Sequence, residues 1–232
     1  MKKWIVLGLT LVAILVAMAA FALPVSASAG VYGDLLLYVI ENEEVTILDT
    51  NDSSIGGVLF IPDEIDGYPV TAINAYAFGR HESLMSIVIP DSVTTIGELA
   101  FWSCSSLTRV EIGDSVTTIG AGAFEGCNSL ASIEIPNSVT AIGDSAFRDC
   151  SSLTKITFLS PSTDIDDSSY TISSTATIYG YENSTAEAYA NQYSRNFVSL
   201  GVYHTCSFNQ KKYLIHLSKI RSNLHLSRGI LL

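Results

Sequence analysis

Hydrophobic and polar positions repeat every 23 residues between Pro69 and Ser160. Each unit contains a Val-Thr-x-Ile stretch, an Ala-Phe pair, a Cys or His, and a stretch of the form Leu-x-x-apolar-x-apolar, all at fixed offsets. One such unit is too short to bury its own apolar side chains, so units of constant period must stack on one another. The pattern therefore predicts a solenoid of four units: Pro69–Asp91, Ser92–Asp114, Ser115–Asn137 and Ser138–Ser160.

Each unit predicts two short extended segments connected by turns. The stretch that begins with Leu ends in an alternation of apolar and polar residues, which is typical of a strand with one buried face. Pro90 and Pro136 follow two of these stretches and end the strand, because proline donates no backbone hydrogen bond. Stacked units are expected to form a β-rich solenoid of short parallel strands, turns and 3-10 segments, with internal columns of Leu, Ile, Phe and Cys.

The polar positions of the Leu-containing strands form the candidate recognition surface. They alternate with buried residues, so they are expected to face outward in two columns along the stack. Glu111 and Glu134 are expected to be neighbours, with Arg109 and Lys155 beside them. A plainer interpretation is a solvated face with weak cross-strand charge pairs and no aromatic anchor. The eight positions are Ser86, Val88, Arg109, Glu111, Ser132, Glu134, Lys155 and Thr157.

The two ends of the array are expected to carry caps, because a terminal unit would otherwise expose its apolar columns. Residues 30–68 contain three strand-like runs and an Asp-Gly turn, which predicts an N-terminal capping segment. Residues 161–201 predict a C-terminal cap with two strands and a short helix between them. A capping box over Ser184–Glu187 marks the start of that helix.

Three cysteines, Cys104, Cys127 and Cys150, lie one repeat apart, which predicts a column of small buried residues along the solenoid. Stacking brings equivalent positions close enough for a disulfide, but their Cβ vectors run parallel and do not face each other. A disulfide and a metal-binding column are the alternatives, and a metal column would lack a second type of ligand. No cofactor and no metal site are predicted.

The start of the chain predicts export. Two lysines precede an apolar run that ends in an Ala27-Ser28-Ala29 site, the pattern of a secretory signal peptide over residues 1–29. An uncleaved membrane anchor is the alternative, because an apolar run of about 20 residues can span a bilayer. With a cleaved signal peptide, contact with a membrane is expected only through that peptide during export.

Charge separates the body of the chain from its end. All 23 acidic residues fall between Asp34 and Glu187. An acidic body repels phosphate backbones, which argues against a nucleic-acid partner. Residues 202–232 contain basic residues, no acidic residue and no repeat, so we expect a tail that is poorly ordered or aberrant.

The repeat resembles that of a known family. The phrase at residues 135–153, Ile-Pro-Asn-Ser-Val-Thr-Ala-Ile-Gly-Asp-Ser-Ala-Phe-Arg-Asp-Cys-Ser-Ser-Leu, is similar to the BspA-type, or Treponema-type, leucine-rich repeat. The segment Ile178–Ala190 resembles the one that closes many such arrays. The resemblance covers roughly residues 60–201 and implies a leucine-rich-repeat solenoid in an exported surface or secreted protein. Proteins of this family are implicated in adhesion to host or matrix proteins, and the family has no common catalytic residues.

The function expected from these patterns is non-catalytic binding or adhesion by a secreted or cell-surface protein, with an extracellular protein or glycan as its ligand. A passive spacer, or a shed fragment of a larger surface protein, is the alternative. A glycan-active enzyme is least expected. Glu111 and Glu134 would supply a carboxylate pair, but the sequence predicts no deep cleft and no aromatic sugar platform beside them.

Overall fold

The structure is a computed structural model that describes residues 27–33, 35–50 and 56–204. These residues form short strands, one helix and the turns between them. The strands are β1 (Ser28–Tyr32), β2 (Leu36–Glu41), β3 (Glu44–Thr50), β4 (Gly57–Phe60), β5 (Glu64–Ile65), β6 (Tyr68–Ile73), β7 (Leu84–Val88), β8 (Thr95–Ile96), β9 (Arg109–Glu111), β10 (Thr118–Ile119), β11 (Ser132–Ile135), β12 (Ala141–Ile142), β13 (Lys155–Phe158), β14 (Asp164–Ile165), β15 (Thr177–Gly180) and β16 (Phe197–Ser199). The helix, α1, spans Thr185–Gln192.

The Val-Thr-x-Ile segments build one sheet of the solenoid. Its strand order is β1-β2-β3-β6-β8-β10-β12-β14, and β5 pairs with β6 at its side. The first three strands are antiparallel, and the sheet is parallel from β3 onward. Thr95 pairs with Thr118, and Thr118 pairs with Ala141, so residues that are 23 positions apart lie opposite each other on neighbouring strands. This confirms that the 23-residue period is a stacking period.

The Leu-containing segments build a second face from two shorter sheets. One has the order β4-β7-β9 and the other β11-β13-β15-β16, and the neighbouring strands within each are parallel. The predicted solenoid of short parallel strands is therefore confirmed. Stacking also continues beyond Ser160, because β14 and β15 pair with strands of the preceding unit on each side of the molecule.

A column of phenylalanine rings fills the space between the two faces. Phe78, Phe101, Phe124 and Phe147 are fully buried. Their ring centroids are separated by 5.2, 5.1 and 5.5 Å, and successive rings lie within 6° of parallel. Phe101 and Phe124 therefore stack on a ring on each side, and Phe78 and Phe147 on a ring on one side, which couples neighbouring repeats through the core.

The cysteine column lies inside the same core. Cys104, Cys127 and Cys150 are buried and carry free thiols. Each thiol donates to the carbonyl of a phenylalanine in the preceding unit, over 3.0 to 3.3 Å. Burial raises the pKa of Cys104 and Cys150 to about 12 and that of Cys127 well above 9.0. The prediction of unpaired buried cysteines is confirmed for these three residues, whereas Cys206 lies outside the described residues.

Glycine is required where neighbouring units approach most closely. A Cβ atom added to Gly120 would lie 2.6 Å from the backbone nitrogen of Glu98. The equivalent positions Gly97 and Gly143 meet the backbone of the preceding unit at the same 2.6 Å. The glycine in the repeat therefore allows two backbones to approach, because no side chain fits between them.

The N-terminal strands and the C-terminal helix form as the sequence pattern predicts. The Asp66-Gly67 turn between β5 and β6 has positive φ at both residues, 54° and 84°, as a tight hairpin turn requires. Tyr38 donates to Asp66 over 2.5 Å, which links β2 to this turn and raises the pKa of the tyrosine to about 12. At α1, the Ser184 hydroxyl accepts from the Glu187 backbone N–H, and this confirms the predicted helix start.

Several predictions about the chain ends are not tested by the fold. The predicted signal peptide lies outside the described residues except for its last three, Ala27 to Ala29, of which two belong to β1. The compact unit that carries the sheets ends at Gly201, and the basic tail lies outside the described residues from position 205 onward. Within the described part of the chain, no helix combines the length and apolarity needed to cross a bilayer.

A candidate recognition surface

The candidate recognition surface is the outward side of β4, β7, β9, β11, β13 and β15, which we call the strand face. Along β11 the strand face alternates with the core, because Ile133 and Ile135 are buried on either side of Glu134, whereas Val110 and Ile112 beside Glu111 are half-buried. Arg109, Glu111, Ser132, Glu134 and Lys155 are exposed, and Ser86 and Val88 are partly exposed.

Thr157 departs from the predicted pattern. We expected it to be exposed, but it is only 7% exposed. Its partner in the next strand is Tyr179, which is half-buried and lies on the same side of the sheet. The larger neighbouring side chain shields the threonine, so Thr157 contributes little surface to a ligand.

The structure brings the predicted residues together in two groups. In β7 and β9, Ser86 lies opposite Arg109 and Val88 opposite Glu111. In β11 and β13, Ser132 lies opposite Lys155 and Glu134 opposite Thr157. Strands β9 and β11 belong to different sheets.

Glu111 and Glu134, which we expected to be neighbours, therefore do not lie on strands that are hydrogen-bonded to each other. One residue marks the break between β9 and β11. Thr108 and Thr154 donate through both backbone N–H and hydroxyl to a carbonyl of the preceding unit, whereas the equivalent Ala131 has no hydroxyl.

Three charged residues of the strand face, Arg109, Glu111 and Lys155, have partners close by. Arg109 and Glu111 form an ion pair of 2.6 Å, and their side chains are 70% and 48% exposed. Such an exposed pair contributes little to stability, at most about 1 kcal/mol. The Lys155 ammonium lies 4.9 Å from the centre of the Tyr179 ring. These contacts position the charged groups on the surface and leave them accessible to a partner.

An exposed apolar group at the N-terminal end of the strand face was not foreseen. Strand β4 adds Val58 beside Ser86 and Phe60 beside Val88. Val58 and Phe60 are 57% and 67% exposed, and Met85 nearby in β7 is 56% exposed. A signal was present in the sequence, because Ile61-Pro62 repeats the Ile-Pro that ends later strands. The five-residue insertion after it interrupts the 23-residue spacing, so β4 was not recognised as part of the repeat. Clustered exposed apolar side chains of this kind mark interaction sites.

A cavity of about 590 Å³ opens beside this apolar group, at the end of β4, β7 and β9. Four carboxylates line it, those of Asp63, Asp91, Glu111 and Asp114, together with apolar side chains that include Phe60 and Val88. Of these four carboxylates, the structure pairs Glu111 with Arg109. The cavity is thus acidic with an apolar rim, an arrangement that complements a basic and apolar partner.

The described residues do not form a metal-binding cluster of three or more His, Cys, Asp or Glu side chains. The carboxylates of the cavity lie on successive turns of the solenoid. What the strand face offers is a shaped surface with apolar, anionic and cationic portions, and such a surface can bind another molecule by complementarity.

Comparison with known proteins places this arrangement in a family. The model of the BspA-type leucine-rich repeat region matches residues 71–197 in six copies. The chain belongs to the BspA-type leucine-rich repeat family. The resemblance seen in the repeat phrase is therefore confirmed. A search among proteins with curated functions found no match to this BspA-type chain.

Solved structures of other bacterial leucine-rich repeat proteins share the fold. A T. pallidum leucine-rich repeat protein is 29% identical with a TM-score of 0.53, and the match covers 68% of this chain and 70% of that one. A Bacteroides capillosus protein is 30% identical with a TM-score of 0.51, covering 56% of this chain and 98% of that one. A leucine-rich cell surface protein of Faecalibacterium prausnitzii is 27% identical with a TM-score of 0.52, covering 80% and 41%.

Proposed function

We propose that this protein is an exported, non-catalytic binding protein that recognises an extracellular protein through its strand face. The observation that carries the proposal is the exposed apolar group of Val58, Phe60 and Met85 beside a cavity with four carboxylates. Exposing these side chains to water is unfavourable, and a partner that covers them would recover the free energy of apolar burial, about 25 cal/mol for each Å².

The composition of the strand face indicates the chemistry of the partner. An apolar centre beside carboxylates fits a protein segment that presents an aliphatic or aromatic side chain together with Lys or Arg. Carboxylates attract such a segment over a distance of about 8 Å at physiological ionic strength, so they would speed association. Arg109 and Lys155 lie further along the face and would orient the partner through its own acidic groups.

Binding at a cell surface or in the medium agrees with two further observations. The sequence before Gly30 has the form of a signal peptide. The related Faecalibacterium prausnitzii protein is described as a cell surface protein. We infer that this chain is exported and acts outside the cell, and N-terminal sequencing of the protein recovered from culture medium and envelope fractions tests that inference.

The test of binding uses the full chain and a panel of immobilised extracellular matrix proteins. We expect saturable binding to at least one of them, weakened by added salt. Phe60→Ser should reduce that binding about tenfold or more, because an apolar anchor at the centre of an interface contributes at least about 2 kcal/mol. Tyr76→Ser is the matched control, since Tyr76 is 56% exposed but lies outside the strand face.

Two results would contradict the proposal. The first is equal binding by the wild type, Phe60→Ser and Tyr76→Ser. The second is an absence of saturable binding across the panel, as expected of a passive spacer.

A further inference from the structure

A second cavity lies where the repeat array meets the segment that leads to α1. It has a volume of about 210 Å³ and shares no residue with the strand face. Its lining includes two of the five basic residues between Gly30 and Gly201, Arg148 and Arg195. In so acidic a body, the convergence of two guanidinium groups on one cavity calls for a physical explanation. We call it the arginine cavity.

A break in the backbone ladder leaves a donor at the arginine cavity. Arg80, Ser103 and Gly126 occupy one position of successive repeats, and each has positive φ. Their N–H groups donate to carbonyls of the following unit over 2.6, 2.7 and 2.8 Å. Asp149 is the next member of this column, with φ of 56°, but among the described residues its N–H has no backbone acceptor.

The chain beyond Asp149 explains the missing acceptor. Phe147 forms an isolated bridge to Ile172, and no strand continues from it. Ser173 and Ser174, which follow, line the arginine cavity together with Asp149. The column directs its N–H groups toward the next unit, so the N–H of Asp149 points toward the cavity. Asp149 is exposed, so water can satisfy this N–H, and the oxygen of a bound anion can take the place of that water.

The two arginines also keep unused donors. Arg195 donates through Nη2 to the Ser169 carbonyl over 2.7 Å, while its Nε is buried and has no partner among the described residues. The Nε of Arg148 lies 3.5 Å from Asp149 and 3.9 Å from Glu125, too far for strong hydrogen bonds. These ion pairs are partly exposed and weak, so a ligand can replace them.

The rim of the arginine cavity suits a sugar. Tyr170 is 62% exposed and lies under the Arg148 guanidinium, 5.2 Å from its ring centre. Ser169, Ser173 and Ser174 supply further polar groups around the opening. An aromatic ring with hydroxyls beside cationic donors can contact the apolar face of a sugar ring while the guanidinium groups bind its charge.

We propose that the arginine cavity binds an acidic sugar, with the carboxylate or sulfate group held by Arg148, Arg195 and the N–H of Asp149. The Asp149 carboxylate also lines the cavity, and Glu125 lies 3.9 Å from the Arg148 Nε, so two nearby carboxylates offset the two positive charges. These carboxylates therefore favour a singly charged group over a doubly charged phosphate. This binding is independent of protein recognition at the strand face.

The experiment measures binding of glucuronate, glucose 6-sulfate and glucose to the full chain by ligand-observed NMR titration. Glucuronate and glucose 6-sulfate should bind, and glucose should bind at least about tenfold more weakly, as expected for loss of a charge-assisted hydrogen bond. Inorganic sulfate should bind more weakly than glucose 6-sulfate. Equal affinity of these two anions would show that the site recognises charge alone and would overturn the assignment to a sugar.

Two variants locate the binding. Arg148→Gln should weaken glucuronate binding about tenfold or more. Arg80→Gln is the matched control, because Arg80 also lies over an aromatic ring, that of Trp102, but outside the arginine cavity. Ser174→Trp places a bulky side chain at an exposed residue of the lining and should block the cavity. It takes the place of Arg148→Gln as the test if thermal unfolding shows that Arg148→Gln alters folding.

The proposal is overturned if glucuronate shows no saturable binding, or if Arg148→Gln and Ser174→Trp, both folded, bind it as the wild type does. Phe60→Ser should leave glucuronate binding unchanged, so the outcome for the arginine cavity is separate from the outcome for the strand face.

Discussion

Replacement of Phe124 by alanine tests how strongly the repeats are coupled through the core. Phe124 is fully buried, and its ring stacks on Phe101 at 5.1 Å and on Phe147 at 5.5 Å. The change removes the apolar area of a buried ring and leaves a cavity between two neighbouring units. Substitutions of this kind cost about 3–5 kcal/mol, and the cost is highest where the surroundings cannot collapse. The parallel backbones of a solenoid are held by ladders on two sides, so we expect a value in the upper half of that range.

Phe78→Ala provides the control for the stacking contribution. Phe78 is equally buried but has one phenylalanine neighbour, at 5.2 Å, and an edge contact with His81 on its other side. Phe124→Ala should cost about 1 kcal/mol more than Phe78→Ala, because it removes one additional ring pair. Urea unfolding followed by circular dichroism measures both free energies. A cost below about 2 kcal/mol for Phe124→Ala, or a larger cost for Phe78→Ala, would refute the reasoning.

Two other predictions concern the columns of the repeat. Burial raises the folded-state pKa values of Cys104, Cys127 and Cys150. The contribution of the buried, neutral thiols to the free energy of unfolding is therefore fully present below about pH 9 and is lost as the pH rises above that value. Between pH 7 and pH 10 the free energy of unfolding should fall further in the wild type than in a variant with alanine at all three positions, because the unfolded chain ionises these thiols first; equal pH dependence of both proteins would contradict this. Gly120→Ala should lower the free energy of unfolding by about 1–3 kcal/mol, because its Cβ would lie 2.6 Å from backbone, and an unchanged urea midpoint would show that the units separate easily.

The sequence predicted the solenoid well because the same side chain recurs at the same offset in every unit. A phenylalanine, a cysteine and a Val-Thr-x-Ile stretch at constant spacing leave only one arrangement that buries all of them, namely stacking in register. The helix start at Ser184 was equally predictable, since a capping box depends on residues within one turn. Local and periodic information is sufficient for such features.

The strand face was harder to predict because its properties depend on neighbours outside the regular period. Strand β4 joins it across the five-residue insertion, so Phe60 becomes part of the surface without belonging to a predicted unit. Tyr179 enters from the other end and covers Thr157, although 22 residues separate them. The break between β9 and β11 coincides with Ala131, a single substitution for threonine whose effect on a ladder cannot be read from a pattern.

The most direct test of the recognition surface is hydroxyl-radical footprinting of the full chain with and without the matrix protein that it binds. Phe60, Met85, Tyr76 and Tyr170 are all more than half exposed in the free protein, so all four should be oxidised in the absence of a partner. If the strand face is the binding surface, Phe60 and Met85 become protected in the complex while Tyr76 and Tyr170 do not. Protection of Tyr76 or Tyr170 with continued oxidation of Phe60 would place the partner elsewhere and contradict the account.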